Sequence, residues 1–405
     1  MPPRFDSENL TLGLAVADLL DPQTARSLGF ANRGGYERLW LGQAIHSRYQ
    51  EEALADDGSY RREVTIRHSF EYRGWQVTIH GRADGLRTDP DGAVVVEEIK
   101  SVRRGVQLAP ATREIYARQA ALYAWMLSRE SRLEDLNAPP VRAELVLIEI
   151  GTDEIERDEV EVRLPILDAL VKRRLATLLR EHRSQEEARS ARRVAGADLP
   201  FPYPIIRNGQ DEIISAVEHA VDHSEHLLVE APTGIGKTVA SLYPTLRYAL
   251  ENDKRVFVLT AKTLQQDMAT TVLQLLNREQ AFRSLRLRAK AKMCANDQVL
   301  CHEEYCAFAK DYYAKLQHDG LIHRLLDRHP TLLPDAIYDA AQGSVVCPFE
   351  VSLELAGHVQ VVVCDYNYAF DPYVALTDFR DDESLDDTIL IIDEIHNLVD
   401  RGRGY

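Results

Sequence analysis

Hydrophobic and polar positions follow two rhythms along the first half of the chain. In GYERLWLGQAIHSRYQEEAL (35–54), Leu39, Gly42, Ile45, His46 and Tyr49 recur at the spacing of one helix face. REVTIRHSF (62–70), WQVTIHGRADGL (75–86) and AVVVEEIK (93–100) alternate in the manner of strands. A helix is expected around 110–130, then strands in VRAELVLIEI (141–150) and DEVEVRL (158–164), then a long charged helix over 166–193. The Pro-rich ADLPFPYPIIRNGQ (197–210) marks a domain boundary. Beyond it, helical segments alternate with short apolar runs: HLLVE (226–230), RVFVLT (255–260), VQVVVCD (359–365) and TILIID (388–393). That alternation predicts a parallel sheet with helices on both faces. The fold class is α/β, with one domain over 1–195 and a second over 196–405, and no internal repeat or low-complexity tract.

Composition sharpens this picture at three points. An apolar content of 45% over 405 residues suits two or three globular domains. No apolar run is long enough to span a bilayer, and Met1-Pro-Pro-Arg-Phe-Asp lacks a signal-peptide core, so a cytoplasmic location without membrane contact is expected. In a reducing compartment, five cysteines favour metal ligation over disulfides, with Cys364 inside VVVCDY (361–366) read as a core residue. The net charge of −16 is uneven: residues 1–195 carry −3 and residues 196–405 carry −13. Within the acidic half, Arg278, Arg283, Arg286, Arg288, Lys290 and Lys292 form a basic run leading into Cys294. Such a run suits strand phosphates or a solvated helix face.

Glu98 and Lys100, two residues apart on a predicted strand, share a face. The preceding Asp89-Pro90-Asp91-Gly92 suits a type I turn with Gly92 in the left-handed conformation, a three-residue hairpin loop with a bulge. That register pairs Asp89 with Ala93 and sets Asp84 opposite Glu98, whereas a two-residue loop would set Asp84 opposite Glu97. Two carboxylates with the helical His46 make a candidate Mg²⁺ or Mn²⁺ site. Such an ion activates water and offsets phosphodiester charge.

The ordered signals Gly42-Gln-Ala-Ile-His46, Gly81-Arg-Ala-Asp84, Glu98-Ile-Lys100 and Gln119-Ala-Ala-Leu-Tyr123 resemble the PD-(D/E)XK nucleases of the RecB-like branch. The resemblance implies a restriction-endonuclease-like domain with ligands His46, Asp84, Glu98 and the Ile99 carbonyl. It makes Lys100 the base or electrostatic group, with Gln119 and Tyr123 supporting the site or touching DNA. The aspartate motif lacks the proline of the family's name.

In the second half, HLLVE runs into APTGIGKT (231–238) and an apolar helix, the strand–loop–helix setting of a phosphate-binding loop. Thr233, Gly234 and Gly236 shape the loop, whose backbone N–H groups hold phosphates; Lys237 reaches the β/γ-phosphates of ATP and Thr238 binds Mg²⁺. At the end of TILIID, Asp393 is expected to hold the magnesium through water and Glu394 to align the attacking water, in the string Asp393-Glu394-Ile395-His396 of the DEAH form. Between the two lie Cys294, Cys301, Cys306 and Cys347, whose gaps of seven, five and forty-one fit no common zinc finger or ferredoxin run.

This order resembles the XPD/DinG helicases over roughly 200–405. The resemblance implies a RecA-like motor domain and a [4Fe–4S] cluster on the four cysteines within an insert over 283–350, with zinc the alternative occupant. It further implies Gln210, near Arg207, as the residue that reads adenine. Tyr366, Tyr368 and Phe370 are candidates for stacking on bases, with core packing expected for at least two. The family's arch and second motor domain are not found within 405 residues, so ATP binding with poor hydrolysis is expected, and the end Asp400–Tyr405 is read as a fragment end or early stop. The combined expectation is an ATP-dependent DNA helicase fused to a metal-dependent DNase, acting on single-stranded or forked DNA in repair or processing. The alternatives are a motor whose first domain only binds DNA, and a regulatory nucleotide-binding module.

Overall fold

The computed structural model describes residues 3–20, 35–103, 108, 110–134, 139–302, 305–371, 374–376, 379 and 385–402. The side chain of Leu39 and the last three residues of Asp400–Tyr405 lie outside the described residues. The chain divides into two compact units, Met1–Arg183 and Ser184–Tyr405. The division falls within a long helix, ahead of the expected boundary at 195/196.

The first unit runs β1 (Arg4–Asp6), β2 (Thr11–Ala15), α1 (Val16–Leu19), α2 (Gly35–Asp56), β3 (Arg61–Tyr72), β4 (Trp75–Thr88), β5 (Val94–Arg103), α3 (Pro110–Glu134), β6 (Val141–Ile150) and β7 (Ile155–Val160), reaching α4 (Leu164–Ala197). Among the described residues its strands form a seven-stranded sheet, ordered β1-β2-β4-β5-β6-β7 with β3 added on β4. Hairpin β3–β4 closes on Arg73 and Gly74, both at positive φ, a tight turn whose twist matches its strands. Hairpin β4–β5 has the bulged register: Asp89 N–H donates to Ala93 O (2.8 Å), Gly92 has φ +84°, and the ladder reaches Gly85 opposite Glu97, one step short of Asp84 and Glu98.

On one side of β4, pairing passes from β2 (Gln76–His80) to β5 (Gly85–Thr88). Gly81–Asp84 lies at this hand-over. Helix α3, the crossover between parallel β5 and β6, covers one face with Leu122, Trp125 and Met126 against Val96, Leu145 and Leu147. Helix α2 covers the other, with Ile45 and Tyr49 on Ile99, Val146 and Ile148.

The second unit contains α5 (Gln210–Asp222), α6 (Lys237–Glu251), β8 (Arg255–Thr260), α7 (Thr263–Leu276), β9 (Ser284–Arg286), α8 (Lys290–Met293), α9 (Tyr312–Asp319), α10 (Leu321–Arg328), β10 (Thr331–Leu332), α11 (Pro334–Gly343), α12 (Pro348–Ala356), β11 (Val361–Asp365), α13 (Asn367–Phe370), β12 (Thr388–Ile392) and α14 (His396–Gly402). Among the described residues its five strands are parallel in the order β10-β9-β11-β8-β12. Leu242, Leu246 and Leu273 from α6 and α7 bury Val256, Val258, Val361 and Val363. Cys364 is fully buried, as expected of a core residue.

One expected strand is absent. HLLVE (226–230) joins neither sheet, and Leu228 is 78% exposed. An apolar run becomes a strand only where a neighbouring backbone takes its hydrogen bonds, and β12, the edge of the sheet, is paired with β8 alone. The strand expected at 158–164 begins earlier and ends at Val160.

Candidate functional site

In the first unit Glu98 is 1% exposed. Its Oε1 accepts a hydrogen bond from Lys100 Nζ, while Oε2 is buried without a partner. Burial, helped by the Asp84 charge and opposed by Lys100, pushes the Glu98 carboxyl up to about 7. Burial works against the Lys100 charge too, but Glu98 and Asp84 outweigh it and raise the ammonium above its ordinary value. The Lys100 ammonium also lies 5.2 Å from the Tyr116 ring centroid. Asp84 Oδ2 accepts the Ile99 N–H (2.7 Å), so a side chain takes the place of the strand bond lost at the hand-over.

Gln119 and Tyr123 stand one turn apart on α3, over Gly81. Gln119 Nε2 donates to Tyr123 OH (3.4 Å), and the Tyr123 ring lies so close to Gly81 that a Cβ there would meet it at 2.5 Å. Helix α2 approaches β5 where Gly42 faces Ser101 Oγ. His46 is lowered by burial and by the Lys100 charge, against the opposing pull of Asp84 and Glu63, so all three groups act on it.

Two residues that sequence reasoning missed complete the surroundings. Buried Gln50 donates to Asp84 O (2.8 Å) and to Glu63 Oε1 (3.2 Å), and Arg82 Nε pairs with Glu63 Oε2 (2.6 Å). The signal for Gln50 was available, since it follows His46 by one helical turn. On the opposite face of β5, Glu97 is held by Tyr49, Arg87 and Arg157, a satisfied buried network beneath the site.

The three expected ligands do not close into a metal site. Among the described residues no three His, Cys, Asp or Glu side chains come together closely enough to hold an ion. The reason is the layering: His46 comes from α2 on one face of the sheet, while Glu98 shares with Lys100 the face of α3. The unpartnered Glu98 Oε2, with Asp84 beside it, nonetheless fits a hard divalent cation.

In the second unit Gly236 caps α6 at φ +90° and Gly234 has φ +84°. Lys237 Nζ donates to Ala231 O (2.8 Å), and Arg207 Nη1 donates to Gly234 O (3.0 Å). Gln210, buried at the start of α5, accepts from Arg207 N–H (2.8 Å) and lies against Gly236, where a Cβ would collide with its amide. Thr238 follows in the first turn of α6, and Thr233 is exposed in the loop. Asp393 directly follows β12; burial and Glu394 raise its carboxyl, and Lys237 acts in the opposite sense. The phosphate loop and the acidic strand end thus face each other electrostatically. Tyr366 is fully buried and its OH donates to the Asp393 and Glu394 carbonyls; Tyr368 is buried as well, so these two pack rather than present faces for bases.

The cysteines are free thiols. Cys306 Sγ accepts from Asn296 Nδ2 (3.1 Å), Cys294 bonds Gln298 O (3.8 Å), and Cys301 and Cys347 both act on the Lys290 ammonium. Burial pushes the Cys347 thiol up to about 11. Among the described residues these thiols are not gathered as a metal group. Within the basic run, Arg286 pairs with Asp267, Arg288 with Asp335 and Lys290 with Glu350, and Arg283 donates to Leu326 O. The phosphate-contacting reading of the run is weakened accordingly.

A glycine-bearing loop opening α6, with an Asp-Glu pair directly after strand β12 of a parallel sheet, is the arrangement of a P-loop domain. Residues 207–302 match the DEAD/DEAH box helicase family, and residues 256–404 match the family described as DEAD_2. This half is an XPD/DinG-type DEAD/DEAH helicase domain of superfamily 2. The chain is similar to the general transcription and DNA repair factor IIH helicase subunit XPD/RAD3 of Saccharomyces cerevisiae, 23% identical over 50% of this chain and 30% of that protein. A probable ATP-dependent helicase of Methanocaldococcus jannaschii is 28% identical over 49% of this chain and 29% of its own length. The ATP-dependent helicase DinG of Mycobacterium tuberculosis is 49% identical over 55 residues, 14% of this chain and 8% of that protein. The chain therefore spans about 30% of the curated relatives it matches over the longest stretches. Among the described residues no helix is long and apolar enough to cross a membrane.

Proposed function

We propose that the chain couples an ATP-dependent DNA helicase domain to a metal-dependent DNA nuclease domain, in DNA repair or processing. The observation that carries the nuclease half is the buried Glu98, paired with Lys100 through one oxygen and unpartnered at the other, beside Asp84. Asp84 and Glu98 would hold a divalent ion, which would supply an activated water and offset phosphodiester charge, while His46 stands on the α2 side. Lys100, kept protonated by Glu98 and Asp84, would stabilise the oxyanion as the phosphodiester is attacked.

In the helicase domain Lys237 would bind the β/γ-phosphates of ATP, Thr238 and Asp393 the magnesium, Glu394 would align the attacking water and Gln210 would face the adenine. Lys237 donates to Ala231 O and Arg207 to Gly234 O in the loop; weak ATP binding and slow hydrolysis by these 405 residues stay the expectation. The expected DNA is single-stranded or forked. Cys294, Cys301, Cys306 and Cys347 would hold a structural [4Fe–4S] cluster, supported by four thiols in one insert of an XPD/DinG-type domain. A brown chromophore with stoichiometric iron and sulfide, lost in Cys294→Ser, tests this against zinc.

The deciding experiment is cleavage of single-stranded DNA with Mn²⁺ or Mg²⁺. Wild type is expected to cut and Lys100→Ala to be inert, with Lys237→Ala cutting normally but failing to bind ATP. A second reading, in which the first unit only binds DNA, draws on the open ligand set. It predicts DNA binding without cleavage by any ion, and that result would remove the nuclease claim.

A further inference from the structure

Glu394 stands at φ +54°, directly after Asp393, which follows β12. The left-handed region crowds a Cβ, so a non-glycine residue stays there only where its surroundings hold it. This turn is held from several sides. Asp393 N–H donates to Leu259 O (2.9 Å), and Asn397 donates to Glu394 O through its backbone N–H (3.0 Å) and through Nδ2 (3.1 Å). From the end of β11, the Tyr366 hydroxyl shares its one hydrogen between the Asp393 and Glu394 carbonyls, 3.1 Å from the latter.

Tyr366 is in turn held by Arg401 of α14. The guanidinium lies 5.3 Å from the Tyr366 ring centroid, within the range of a cation–π contact. Its Nη1 donates to Asp365 Oδ1 (2.5 Å) and Asn367 Oδ1 (2.9 Å), and Nη2 donates to Asp365 Oδ2 (3.4 Å). Asp365 Oδ1 also accepts the Asn367 N–H (3.0 Å). Arg401 therefore grips both chain neighbours of Tyr366 and the ring between them, a task for a planar fork that a lysine does not reproduce. Tyr366 is fully buried, so its hydroxyl is committed to the acidic turn.

We propose that Arg401 and Tyr366 are positioning residues for ATP hydrolysis: Arg401 fixes Tyr366, and the Tyr366 hydroxyl fixes the Asp393-Glu394 turn that serves the magnesium and the attacking water. The inference rests on the roles proposed above for Asp393 and Glu394, and it adds the residues that aim them. Such aiming matters because a misplacement of about 1 Å can cost on the order of a hundredfold in rate.

The test measures the ATP affinity of the full chain twice, with Mg²⁺ and in chelator, together with the rate of phosphate release at saturating ATP. Wild type is expected to bind ATP more tightly with Mg²⁺. Tyr366→Phe keeps the ring beside Arg401 and removes only the hydroxyl. It is expected to lose most of the Mg²⁺-dependent gain, to keep the affinity in chelator, and to slow phosphate release about 10- to 100-fold. Arg401→Lys keeps the charge without the fork and is expected to follow it. A wild-type Mg²⁺ gain and a wild-type rate in both variants would overturn the proposal and leave the roles of Asp393 and Glu394 standing. Affinity lost equally with Mg²⁺ and in chelator would assign the pair to the fold alone and overturn it too. A wild type that binds ATP no better with Mg²⁺ than in chelator would strike down the metal role of Asp393 itself, and this inference with it.

Discussion

At Glu98, burial and charge pull in opposite directions. The carboxyl ordinarily titrates at 4.5 and is pushed up to about 7 in the folded chain, chiefly by loss of water. Below pH 4.5 both states hold the proton. Between 4.5 and about 7 the unfolded chain releases it while the folded chain keeps it, so stability falls as pH rises through that window and then levels off. The separation corresponds to a loss on the order of 3 kcal/mol. Urea unfolding of wild type and Glu98→Gln in chelator should therefore show wild type losing ground to the variant from pH 4.5 to about 7, with a constant difference above. A pH-independent difference would mean that Glu98 is ionised throughout. A carboxyl that resists ionisation next to a lysine is a strained pair, and a divalent ion is one way to relieve it.

At the scale of elements, the Gly81–Asp84 segment works by close approach. Tyr123 on α3 fills the space over Gly81, and Val16 of α1 lies 3.0 Å from where a Cβ would stand. Gly81→Ala is expected to cost about 1–3 kcal/mol by overpacking, measured as a lower urea midpoint with an unchanged slope. Gly74, also in the first unit but with open space around it, gives no such steric collision.

The same segment shows what a sequence can disclose. Asp89–Gly92 carries its own turn chemistry, so the β4–β5 register could be counted outward to Asp84 and Glu98, and an offset of one residue would have moved every side chain to the other face. The phosphate loop was legible for the same reason, since its glycines and lysine are consecutive. What stayed hidden depends on partners far along the chain. HLLVE has a strand's composition but pairs with no strand. The basic run finds Asp267, Asp335 and Glu350 at positions no local pattern connects to it. His46 was correctly placed on a helix, yet which face of the sheet that helix covers is set by Ile45 and Tyr49 meeting Ile99 and Val146.

For the whole molecule, the buried clusters fall on either side of the division at 183/184. Leu12 through Leu178 build the core of the first unit, and Leu199 through Val363 build the core around α6, α7 and the parallel sheet. Units with separate cores need not unfold together. A ligand that binds one folded unit stabilises that unit alone, by about 2.7 kcal/mol at a hundredfold excess over its dissociation constant. Calorimetry of the full chain should therefore resolve two transitions. Mn²⁺ is expected to raise the one belonging to Met1–Arg183, and ATP with Mg²⁺ the one belonging to Ser184–Tyr405. Lys237→Ala should abolish the ATP shift and leave the Mn²⁺ shift intact, and Glu98→Gln should do the reverse. Because Mg²⁺ alone acts on both candidate sites, the ATP shift has to be read against a Mg²⁺ baseline. A single transition that rises with either ligand would show instead that the two units unfold as one.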